Sequence, residues 1–125
     1  MIRALRGDGT HVRHKRTGDV GSVYRGRSLE VVWVRKQGEV VDPRWFSSPN
    51  VDILTVVQGR LRVEFADARE KSRVLEVGDI LVLPAKTKCR AYRWPRSSRR
   101  ATVFVATYPV RWRRRRRRGN LREQT

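Results

Sequence analysis

The chain has 125 residues, of which 30 are Lys or Arg and 12 are Asp or Glu, a formal net charge of +18. That length fits one domain, and an apolar fraction of 38% supports a small core only if some residues lie outside it. No run reaches the roughly 20 apolar residues of a membrane helix, the N-terminus has no apolar stretch of signal-peptide length, and the lone Cys89 excludes an intrachain disulfide. The expectation is a cytoplasmic protein without a transmembrane segment.

Residues 1–26 read as a basic arm: Gly7, Gly9, Gly18, Gly21 and Gly26 break up a polar stretch, and only Val20 to Tyr24 has strand character. His11 and His14 fall three apart in this arm, and two donors without a third do not make a metal site. Residues 27–109 show no sustained helical period. Apolar and β-branched runs of strand length recur there with turn residues between them. Strands are expected near Leu29–Lys36, Glu39–Asp42, Asp52–Val57, Arg60–Ala66, Arg73–Glu76, Ile80–Leu83, Cys89–Trp94 and Ala101–Tyr108. Gln37-Gly38, Ser47 to Asn50, Gln58-Gly59, Val77 to Asp79 and Pro95 to Ser98 supply the turns. Leu61, Val63 and Phe65 alternate with Arg60, Arg62 and Glu64, which buries one face of that strand and wets the other. Short strands at this spacing favour a closed barrel or sandwich, in which edges are hidden. Residues 110–125 carry a net charge of +7, as much as the whole of 27–109, and should be disordered alone.

Two segments carry a family resemblance. Asp52-Ile-Leu-Thr-Val-Val-Gln-Gly59 followed by Arg60 to Phe65 resembles the second half of the first cupin motif. Gly78-Asp79-Ile-Leu-Val-Leu-Pro84 resembles the opening of the second. The resemblance covers roughly residues 27–108 and implies an all-β, cupin-like jelly-roll β-barrel, with a homodimer through an N-terminal strand and a sheet face. It also implies a divalent metal held by histidines and a glutamate, yet the histidine positions of the first motif fall on Trp45 and Ser47 or on Phe46 and Ser48. In the second motif Lys86 stands at the glycine position and Cys89 at the histidine position. One carboxylate and one thiol remain where three or four donors are needed, so no metal and no other cofactor is expected.

In the cupin register Asp52 and Cys89 face the interior, and Arg93 shares the strand face of Cys89. An Asp52–Arg93 pair could bind a polar ligand or act as an acid–base couple; the alternatives are a structural ion pair near the barrel mouth or no pair at all. Trp33, Trp45, Leu54, Val56 and Tyr92 join Asp52, Cys89 and Arg93 as candidates for the pocket wall, and ordinary packing explains the first five equally well. Cys89 has Lys86, Lys88 and Arg90 nearby, but a free cysteine is most often an inert apolar filler. No Gly-x-Ser-x-Gly turn, helix-turn-helix, zinc finger or RNP motif is present. Arg111, Trp112, Arg113, Arg114, Arg115, Arg116, Arg117 and Arg118 place seven guanidiniums and an indole in eight residues, able to pair with phosphates and stack on a base or a lipid interface, the alternative being a solvated tail that binds polyanions only incidentally.

These features point to a metal-free, non-enzymatic binding module for a small anionic molecule, whose basic tail contacts nucleic acid or another polyanion without sequence specificity. Two alternatives stay open. One is a cupin-type isomerase, epimerase or lyase acting on a sugar or keto acid through Asp52, Cys89, Tyr92 and Arg93. The other is a nucleic-acid-binding protein that uses the barrel only as a scaffold.

Overall fold

The computed structural model describes residues 10–38 and 41–110. Nine antiparallel strands form two sheets: β1 (Thr10–Lys15), β2 (Gly18–Arg25), β3 (Leu29–Lys36), β4 (Asp52–Gln58), β5 (Leu61–Phe65), β6 (Ser72–Leu75), β7 (Ile80–Leu83), β8 (Cys89–Arg93) and β9 (Thr102–Pro109). The larger sheet runs β1-β2-β3-β9-β4-β7 and the smaller β6-β5-β8. Their inner faces meet over a core of Val34, Leu54, Val56, Leu61, Val63, Phe65, Leu75, Leu83, Phe104 and Ala106. The fold is an all-β jelly roll, and no helix among the described residues is long and apolar enough to cross a membrane.

The alternation along β5 is realised as expected, with Leu61, Val63 and Phe65 buried between the sheets. Gly59 makes the β4–β5 turn with φ +73, a conformation that penalises any Cβ. A Cβ there would also lie 3.0 Å from the Ala101 carbonyl oxygen.

The glycine-broken stretch near the N-terminus departs from the sequence reading. In place of one short segment at Val20–Tyr24, residues 10–25 form β1 and β2, which extend the larger sheet. What holds them is tertiary. Asp19, buried on β2, accepts hydrogen bonds from His14 Nδ1 of β1 (2.9 Å) and from Arg35 Nε and Nη2 of β3 (3.1 and 2.9 Å). Burial pushes the Asp19 pKa up, but the hydrogen bonds from His14 and Arg35 outweigh it and hold the carboxyl below its ordinary value. Of the strand expected at Glu39–Asp42, Glu39 and Val40 lie outside the described residues, and Val41 and Asp42 are irregular. The arginine run from Arg111 to Arg118 also lies outside them.

Candidate functional site

The inner face of the larger sheet, together with Cys89 and Ala91 of β8, lines a cavity of about 910 Å³ that is open to solvent. Successive side chains of a strand point to opposite faces. Val32 and Val34 of β3, Leu54 of β4, and Phe104 and Ala106 of β9 therefore all reach the same wall, and they make it apolar.

One end of this wall is cationic. Arg13 and Lys15, two apart on β1, and Lys36 at the end of β3 line it. Gly18 makes room for Lys36: with φ +145, a Cβ at this position would sit 2.8 Å from the Arg35 carbonyl oxygen and 3.0 Å from Lys36 Cδ. Burial lowers the Lys36 pKa and the like charge of Lys15 lowers it further, against the attraction of Asp42. Lys36 is thus a half-buried ammonium whose burial is only partly offset by Asp42, and an anion at this end would offset it further.

The other end is polar and carries no excess of cations. Asp52 is 5% exposed, and its Oδ1 has no hydrogen-bond partner among the described residues. Burial raises its pKa against the lowering effect of a hydrogen bond from the Ile53 N–H. Beside it, the Tyr108 phenol is pushed up to about 12 by burial, then by the charge of Glu30 and the hydrogen bond it donates to Glu30. Arg25 Nε pairs with Glu30 Oε2 at 3.3 Å.

Of the residues singled out from sequence, Asp52, Leu54 and Cys89 line the cavity, and Val56 is buried in the core without reaching it. Four others are placed elsewhere. Trp33 alternates with Val32 and Val34 and so lies on the opposite face of β3, buried beside Arg35, whose guanidinium carbon is 5.2 Å from the ring centroid. Tyr92 is on the outer face of β8, where its hydroxyl donates to Glu64 Oε2 at 2.6 Å. Trp45 sits outside the cavity, stacked under Arg90 at 4.3 Å. The proposed Asp52–Arg93 pair does not form. Arg93 belongs to the far end of β8, paired with Leu61, and its guanidinium donates to the carbonyls of Ser98 and Arg96.

Cys89 is buried, and burial followed by the charge of Asp52 pushes its thiol to about 11. That is the opposite of an activated nucleophile. At pH 8 about one thiol in a thousand is ionised, against roughly one in four for an ordinary cysteine. Alkylation of the native protein by iodoacetamide at pH 8 should therefore be at least about a hundredfold slower than in denaturant. Equal rates would show that the thiol is not shielded.

A cupin metal does not fit these residues. Asp52 and Cys89 are the donors at the expected positions, and their neighbours Leu54, Leu83, Phe104 and Ala106 offer no ligating atom. No group of three His, Cys, Asp or Glu side chains gathers among the described residues. Nor do the two histidines act together, because they project from opposite faces of β1: His11 lines the cavity and His14 holds Asp19.

An unpaired buried carboxylate is costly. Asp52→Asn, which removes the charge and keeps the shape, should raise stability at pH 7 by about 1 kcal/mol. For a pKa raised by folding, the stabilising contribution is present at low pH and is lost as pH rises through the folded value. The gap between wild type and Asp52→Asn, followed by thermal melts, should close as pH falls.

No family model and no curated protein matches the chain in sequence. Its fold matches solved structures. The cupin domain of Cnp3 from Schizosaccharomyces pombe superposes with a TM-score of 0.64 at 13% identity, over 81% of this chain and 70% of that one. KdgF from a Halomonas species gives 0.61 at 24% identity, over 78% and 84%. An RmlC-like cupin with a double-stranded β-helix fold from Methanocaldococcus jannaschii gives 0.62 at 17%, over 87% and 93%. The motif resemblance and these superpositions converge on one architecture: the chain has the cupin fold.

Proposed function

We propose that the barrel is a binding module for a small anionic molecule. The observation that carries this reading is the trio Arg13, Lys15 and Lys36 lining an apolar cavity, none with an ion-pair partner among the described residues. Titration with anilinonaphthalene sulfonate, an apolar anion, tests it. The native protein should bind one tight equivalent, and the Lys15→Met/Lys36→Met double variant should bind at least about tenfold more weakly. Equal affinity would overturn the reading, and because the variant keeps every arginine of the tail, binding there is told apart from binding in the cavity.

A second reading, a metal-free cupin-type isomerase, epimerase or lyase, is favoured by one observation: the unpartnered Asp52 Oδ1 beside Tyr108. Turnover of a sugar or keto acid that disappears in Asp52→Asn while binding persists would support it.

The tail, Arg111 to Arg118, is proposed as a polyanion tether. Seven phosphate contacts would give a log–log salt slope of roughly −6 on duplex DNA, and exchanging the run for serine in the full chain should flatten it. The homodimer belongs to the same proposal. Val57, Ile80 and Val82 form an exposed apolar patch on β4 and β7, and light scattering should return twice the 14.7 kDa chain mass.

A further inference from the structure

Strand register arranges the inward side chains of the larger sheet in four successive rows. Arg25, Glu30, Tyr108, Asp52 and Leu83 stand side by side across β2, β3, β9, β4 and β7. The next row is Ser22, Val32, Ala106, Leu54 and Leu81, and after it come Val20, Val34, Phe104 and Val56. Lys15, Gly18, Lys36 and Thr102 form the last row, and Arg13 lies one row in, opposite Val20. From Glu30 to Lys36 the strand advances about 20 Å at roughly 3.3 Å per residue. The cavity wall is thus charged positive at one end, apolar across two rows, and neutral to acidic at the other.

We infer that the cavity takes an elongated amphiphile, with its anionic head at Lys15 and Lys36, an unbranched apolar body over Val32, Val34, Leu54 and Phe104, and a hydroxyl against Asp52. This rests on the anion-binding reading above and adds orientation and length to it. A second anionic group at the Asp52 end would meet the carboxylates of Asp52 and Glu30, whereas a hydroxyl can donate to the orphaned Oδ1. Buried acceptors reject ligands that leave them unpaired, so this end discriminates by hydrogen bonding and the lysine end by charge. An extended chain advances about 1.2 Å per bond. Ten carbons then cover about 11 Å, within the roughly 20 Å between the two polar rows.

Calorimetric titration of the full chain with ω-hydroxydecanoate, decanoate, decanediol, decanedioate and inorganic phosphate is the test. In the native protein ω-hydroxydecanoate should bind at least about tenfold tighter than decanoate, decanedioate or decanediol. Asp52→Leu should erase its advantage over decanoate while decanoate itself still binds, and Asp52→Asn should reduce that advantage if the leucine variant fails to fold. Lys15→Met/Lys36→Met should weaken both monoacids at least about tenfold and leave decanediol unchanged. Equal binding of ω-hydroxydecanoate and decanoate, or of ω-hydroxydecanoate and decanedioate, overturns the inference while leaving the anion reading in place. If no acid and no phosphate binds better than decanediol, the anion reading falls with it. Monoacid affinity unchanged in the lysine double variant would assign the binding to sites outside the cavity and overturn both.

Discussion

Asp19→Ala is expected to lower stability by about 2–3 kcal/mol and to weaken anion binding in the same stroke. Asp19 joins three strands: it accepts from His14 on β1 and twice from Arg35 on β3, and Gln37 Nε2 stands 3.5 Å from its Oδ2. Hydrogen bonds to a charged acceptor are worth about 1.5–3 kcal/mol each in favourable settings, and more than one is lost. His14 is exposed and Arg35 is a third exposed, so water partly re-solvates both, which keeps the total at the lower end. For a domain of this size the melting temperature should fall by about 8–13 °C. The functional effect follows from position, because the hairpin that Asp19 secures is the one that carries Arg13 and Lys15. The pH dependence has a definite sign. A carboxyl whose pKa is depressed by folding contributes stability above its unfolded value near 4, and that contribution is lost as pH falls through the folded value. The native protein should lose stability below about pH 4, and Asp19→Ala should show a shallower loss there. Identical acid profiles for the two proteins, measured by thermal melts between pH 2 and pH 6, would remove Asp19 from this role.

The second large effect is in the core. Leu61 is 0% exposed and opposes Leu75 on β6 and Arg93 on β8. Leu61→Ala removes three buried carbons and leaves a cavity that the surrounding sheets only partly fill, a change worth about 2–5 kcal/mol. Chemical denaturation should show the midpoint falling at unchanged slope, because the surface exposed on unfolding is nearly the same. A loss below about 0.5 kcal/mol would mean that the two sheets collapse around the vacancy far more freely than a close-packed interior does.

The barrel strands were legible because their signals are local. The Leu61, Val63, Phe65 alternation, the Gly59 turn and the Gly78-Asp79 turn each act within a few residues, and each appears where the sequence places it. The Val20 to Tyr24 stretch falls inside β2 as read, but β1 and the ends of β2 were not legible because their reasons are distant. Gly18 and Gly21 look like strand breakers, but Gly18 pairs with Lys15 beside Lys36, and Gly21 is the cross-strand partner of Trp33. The cavity divides in the same way. Asp52 and Cys89 followed from a motif, whereas Arg13, Lys15 and Lys36 converge only once β1, β2 and β3 are in register. A trace of that signal was present, since Arg13 and Lys15 are spaced by two, the period of a strand face. The Asp52–Arg93 pair that the shared face allowed shows the limit of facing arguments: Arg93 shares a strand face with Cys89, yet its guanidinium turns to the carbonyls of the loop after β8. Alternation assigns a side, and four residues along a strand separate two groups on that side by about 13 Å.

The arginine stacked on Trp45 has an optical consequence. Arg90 lines the cavity while holding Glu64 Oε1 at 2.7 Å, the Pro43 carbonyl at 3.2 Å and the indole face of Trp45 at 4.3 Å. An anion that reached this guanidinium would compete with Glu64 and the indole for its charge and alter the field across the ring. Trp33 is buried behind the cavity wall, and Trp94 is stacked under Arg62 on the outer side of the smaller sheet, so neither shares that coupling. Among the described tryptophans Trp45 alone is stacked on a residue that lines the cavity, so its emission is the optical place to look for an anion at Arg90.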